Sequence, residues 1–224
     1  MKKILVLSTI CLGFLGTGVA FAQFPNIKGL VGAVSGGGGN ISGLTSSKTQ
    51  AIESYLASTQ ELTISLEKAA EAFGVKQEVL EKLAVVKSLK EGNINDKELE
   101  KARKASEEAY TIVKQKMDET KQPSVEDKKL MAESMVHMAN GVQKERELVG
   151  TAQNLSSQAQ SAVSSASPME ILKVKDIAGT AFTLVKVIPM DLKLTTEILS
   201  KYVEYAKANN ISIPGNASSL LKGE

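Results

Sequence analysis

Counting in sevens from Met131 picks out Met131, Met138, Glu145, Ala152, Ala159 and Ala166, and the intervening steps fall on Met135, Val142, Val149, Ser156 and Val163. Only Glu145 among these eleven positions is charged. Uncharged side chains at three-and-four spacing over five heptads mark a helix packed along its length against other helices. If unbroken from 125 to 166, it spans about 63 Å at 1.5 Å per residue. Asn140-Gly141 is the expected interruption, because that dipeptide also serves as a helix stop. Glu145 either sets register with a lysine from another helix or marks where the seam meets water or a break. Beyond Leu155 the seam narrows to Ala, Ser and one Val, which bury little area, so that end is expected to be the weaker one.

The flanking segments carry the same period. Ser47 and Gln50 fit a capping box for a helix over about 48–73, with Ile52, Tyr55, Leu62, Leu66 and Phe73 on its apolar face and Gly74 as its stop. A helix over about 76–90 carries Val79, Leu80, Leu83 and Val86. The next opens after Asn95 and closes before Pro123, with Leu99, Ala102, Ala105, Ala109, Val113 and Met117 on one face. Ser167-Pro168-Met169-Glu170 is a start signal with a capping box. The helix behind it, to about 187, is the most apolar in the chain (Ile171, Leu172, Val174, Ile177, Ala181, Leu184, Val185, Ile188) and is expected to be the most buried. Its β-branched run Thr180 to Ile188 leaves a strand as the alternative. Pro189 is expected to break or kink the run. A last helix over about 190–208 stops at Asn209-Asn210, and the tail from 210 to 224 reads as loosely attached. The fold expected is therefore all-α, an elongated bundle of five to six helices with coiled-coil-like packing, preceded by a flexible Gly-rich arm.

The N-terminus reads as an address. Lys2 and Lys3 precede an uncharged apolar run, and Ala20-Phe21-Ala22 offers small residues at the positions a signal peptidase needs, placing cleavage after Ala22. A retained anchor or a lipid-modified Cys11 are the alternatives, and the bulky Ile10 disfavours the second. The organisation expected is a signal peptide over 1–22, a Gly-rich arm over 23–46, one helical domain over 47–209 and the tail. The whole chain has 27 Lys+Arg and 25 Asp+Glu. Removing two lysines with the leader leaves 25 of each, so no net field draws in nucleic acid or an anionic membrane. The only arginines are Arg103 and Arg146, which further disfavours phosphate recognition. The only cysteine leaves with the leader, so no disulfide or thiolate is expected.

Each stretch that could carry chemistry has a plainer reading. In "VSGGGGNISGLTSSK", Val34 to Lys48, Gly38 and Gly43 have P-loop spacing, but Leu44 stands where the lysine belongs, so this is slack chain. His137 is the only histidine; Glu133 lies one turn before it, and no second histidine completes a di-iron motif. Met131, Met135 and Met138 share a face that suits core packing, an adaptable partner-contact surface or copper(I). They are the candidate partner-contact residues. No catalytic, cofactor-binding or metal-ligating set is assigned, and no cofactor is implied. The expected role is that of an exported, non-enzymatic helical protein acting by protein–protein contact, as an adaptor, chaperone-like holder or structural subunit, with a protein partner or self-association and no nucleic acid. The alternative is a membrane-active protein of the pore-forming kind, with "GLVGAVSG" and residues 171–190 as inserting pieces.

Overall fold

A computed structural model of the chain describes residues 41–89 and 94–222, and all of these that are regular are helical. Six helices follow in order: α1 Ile41–Ala72, α2 Lys76–Ser88, α3 Asp96–Glu119, α4 Val125–Ser165, α5 Ile171–Ala208 and α6 Gly215–Lys222. No strand occurs among the described residues, so the β-branched run at 180–188 lies inside α5. The expected signal peptide, and the arm up to residue 40, lie outside the described residues.

Local chemistry explains most helix ends. Gly74 takes φ 71° after α1. The amide of Val75 then reaches back to the Ala70 carbonyl at 2.9 Å, closing the helix end. Asn210, at φ 52°, does the same for α5, with Ile211 N donating to Ala206 O at 2.9 Å. Asn95 caps α3 by accepting from Glu98 N. Ser124 and Asp127 form a reciprocal capping box at the start of α4. Ahead of α5, the Glu170 carboxylate accepts from both Ser167 N and Ser167 Oγ, so the expected box is only half made and the helix begins at Ile171.

The largest interfaces are those of α4 with α1 and with α5. Small residues let α1 and α4 come close. Ala51, Ala69, Ala70, Ala139 and Ala152 are essentially sealed. Ser65 and Ser134 exchange bonds, each hydroxyl donating to the other's carbonyl at 2.8 Å. Gly141 allows the tightest approach: a Cβ there would sit 2.6 Å from Leu62 Cδ2. α2 packs mainly on α3, and Val79 and Leu83 of α2 and Leu99, Ala109 and Val113 of α3 are fully buried. At the far end of α5, Tyr205 stacks edge-on with Phe73 at 5.4 Å and donates to the Thr120 carbonyl at 3.1 Å.

Four expectations are corrected by this packing. α1 starts at Ile41, not near 48. Ser47 is no cap: it is buried and donates to the Gly43 carbonyl, while Thr45 and Thr49 bond back to the carbonyls of Ile41 and Thr45. Asn140-Gly141 does not interrupt α4, because the glycine is held in the helix by its contact with α1. Pro189 does not divide α5, which runs 38 residues through it, with the ring on the exposed side. The tail is not loose: Ile211 and Ala217 are buried, and Arg146 donates to the Leu220 carbonyl at 2.6 Å. α4 makes the two largest helix–helix interfaces, while α5 buries the larger share of its own residues, as its apolar sequence leads one to expect, with Leu172 an exception.

Candidate functional site

The three methionines singled out by their spacing lie in the core. Met131, Met135 and Met138 are each 0% exposed, packed into the faces α4 turns toward its neighbours. A partner would reach their sulfurs only if the helices parted. His137, beside this stripe, is half-buried and pairs across helices with Glu61 on α1, Nδ1 to Oε2 at 2.8 Å, rather than with Glu133. Lys144 donates to the other Glu61 oxygen at 2.8 Å, and Glu133 pairs with Lys68. Burial pushes Glu61 upward, but the hydrogen bonds from Lys144 and His137, with their charges, bring its pKa below the usual range. The trio ties α1 to α4.

Glu145 occupies the centre of the packing. It is 1% exposed, and its partners are hydroxyls rather than the lysine its place on the seam suggested. Ser58 of α1 donates to Oε1 at 3.4 Å, and Thr195 of α5 lies 2.7 Å from Oε2. A second carboxylate, Asp191 of α5, is buried nearby and accepts from Tyr55 of α1 at 2.9 Å. Burial raises Glu145 to about 8; the Thr195 bond opposes this and the Asp191 charge adds to it. Burial also raises Asp191 to about 6, opposed by the Tyr55 bond and the Arg103 charge. The Thr195 hydroxyl also lies 3.2 Å from the Leu192 carbonyl. Thr195 has one hydroxyl proton for these two acceptors, so a proton on Glu145 would free the hydroxyl to donate to Leu192 instead. A small cavity of about 30 Å³ touches Tyr55, Arg103, Asp191 and Thr195, which is room for a water or two. Sequence spacing marks Glu145 as the odd seam residue but carries no sign of Asp191, Ser58 or Thr195 as its company.

A wider groove of about 290 Å³ opens between α1 and α2, lined by Leu56, Ile64 and Val86 with Thr59, Gln60 and Thr63, and rimmed by the Glu67–Lys87 ion pair at 2.7 Å. Its lining holds no imidazole or thiol. Among the described residues no group of three or more His, Cys, Asp or Glu side chains converges as a metal set.

The outer side of α5 is different in kind. Stepping three and four residues from Leu172 gives Lys175, Gly179, Phe182, Lys186, Pro189 and Lys193, and every one is exposed. Leu172 is 78% exposed and Phe182 51%, with Met190 beside the row at 45% and Met169 at its head at 94%. No carboxylate stands in the row. Asp176, next to it, pairs with Lys48 of α1 at 2.6 Å. The row was hidden in the sequence because apolar residues of α5 lie on several sides of the helix, so periodicity did not say which of them face inward. Among the described residues no helix is long and apolar enough to cross a membrane. The chain matches no family model, no curated protein and no solved structure.

Proposed function

We propose that this is an exported, non-enzymatic helical protein that works by protein–protein contact, as an adaptor, chaperone-like holder or structural subunit of a cell envelope. The observation that supports this is the outward side of α5, where Leu172, Phe182 and Met190 are held on a helix and turned toward water, with three lysines among them. Apolar side chains aligned along one face mark an interaction surface better than singly scattered ones do. The residues with unusual titration favour the same reading. Glu145 and Asp191 are bound to hydroxyls and enclosed, an arrangement that fixes helix packing and leaves no room for a substrate. Export rests on the leader pattern alone.

The membrane-active alternative needs α5 to leave the bundle and span a bilayer. Four lysines and two aspartates between Lys173 and Lys193 make that segment a poor span. Dye-loaded vesicles decide between the two. The contact reading expects intact vesicles at micromolar protein; leakage at nanomolar protein would place the membrane reading first.

A further inference from the structure

On the contact reading just given, the geometry of α5 also says what chemistry the partner carries. We propose that the outward row seats a helix of an acidic partner protein, which lays apolar side chains on Leu172, Phe182 and Met190 and carboxylates on Lys175, Lys186 and Lys193.

Three observations select this occupant. The exposed positions advance by alternating steps of three and four from 172 to 193, about 32 Å of helix at 1.5 Å per residue. That is the seam two helices share when they pack side by side. Next, the lysines stand in the row itself. Seen down the axis, Lys175, Lys186 and Lys193 fall between the Phe182 side and the Leu172–Met190 side. A helix lying on a bilayer keeps its lysines at the borders of the apolar stripe; here the centre of the stripe would carry three ammonium groups into the acyl layer. Lastly, the row contains no acid, and Asp176 at its edge is already held by Lys48. A second copy of the chain laid in register on the same row would bring six lysines together, with Glu197, one step beyond Lys193, the nearest carboxylate on that face. A partner helix with Asp or Glu at matching positions satisfies both the apolar and the charged members.

The test uses the purified protein and two labelled helical peptides with identical leucines at seam spacing, one with glutamate and the other with lysine at the remaining seam positions. Fluorescence anisotropy is expected to show the glutamate peptide binding at least about tenfold more tightly. Lys175→Glu combined with Lys186→Glu should reverse that preference, and Phe182→Ser or Leu172→Ser should weaken both peptides, with circular dichroism confirming that each variant keeps its helices. Equal binding of the two peptides that is still lost in Phe182→Ser would overturn the acidic partner while leaving the contact surface standing. Binding to phosphatidylglycerol vesicles in place of the peptides, or a doubled mass abolished by Phe182→Ser, would overturn it in favour of a lipid surface or a second copy. No binding to any probe by a monomeric protein would remove the acidic partner and the contact reading together.

Discussion

Glu145 shows how one residue can set the pH response of the whole bundle. Its carboxyl belongs to the seam by position and to the core by burial, and its partners are hydroxyls that can serve the protonated form. The pKa rises from 4.5 to about 8 on folding, so the folded state holds the proton more tightly than the unfolded chain. The stabilisation is complete below pH 4.5, the unfolded value, and is lost as pH rises through about 8. Asp191, raised from 3.8 to about 6, acts in the same direction over a lower window. Glu61 works the other way, since its lowered pKa contributes stability above the ordinary glutamate range that fades in stronger acid. Stability to urea should therefore fall on going from about pH 5 to pH 8, with a slope of up to about 1.4 kcal/mol per pH unit from Glu145. Glu145→Gln, which keeps the shape and stays neutral, should flatten that slope and raise stability above pH 8. An unchanged slope in the variant would show that Glu145 does not hold the proton. The sequence located this residue but misjudged its company, because Ser58 and Thr195 lie on other helices, far along the chain.

At the scale of the element, local stop signals gave way to tertiary contact. Asn140-Gly141 and Pro189 are genuine helix breakers in isolation, yet α4 and α5 run through them. Gly141 is retained in the helix because its missing Cβ lets Leu62 lie against the backbone. Pro189 forgoes one hydrogen bond on the exposed side of a helix whose other side is buried along its length, including Leu184, Ile188, Ile198 and Leu199. Packing of an amphipathic face outweighs a single propensity term of about 1 to 3 kcal/mol. Two glycines of α4 make the point measurable. A methyl group added at Gly150 would meet nothing within 4 Å, so Gly150→Ala should raise stability by about 0.5–1 kcal/mol through helix propensity. Gly141→Ala should lower it by up to about 2 kcal/mol, because the methyl displaces Leu62, and adding Leu62→Ala should relieve the clash. Chemical denaturation of the three variants checks this; a gain for Gly141→Ala matching that of Gly150→Ala would show that the close approach does not matter. Signals that act within one helix (Gly74, Asn95, Asn209-Asn210) were legible for the same reason that these were not: they depend on neighbours in sequence alone.

For the molecule as a whole, the seams at three-and-four spacing dictated an all-α body, and α1, α4 and α5 supply it as three long helices of 32, 41 and 38 residues. The short α6, read in the sequence as loose, packs on α4 and α5 through Ala217, with Ile211 buried in the turn before it. The segment's apolar anchors, Ile211, Ile213, Ala217, Leu220 and Leu221, fall in too short a stretch for periodicity to register. The exposed apolar members of α5 escaped notice for the opposite reason: taken alone, Leu172 and Phe182 look like core. A chain whose core is complete without Leu172, Phe182 and Met190 has these three to spare for something outside itself. Replacing Phe182 with a photoreactive phenylalanine, in cells that produce the protein, tests that most directly, with Leu172 as a second row position and exposed Lys207 on the same helix as the control. Docking through the row predicts one discrete adduct shared by positions 172 and 182 and absent at 207. Silence at both row positions, or the same adducts at all three, would contradict it.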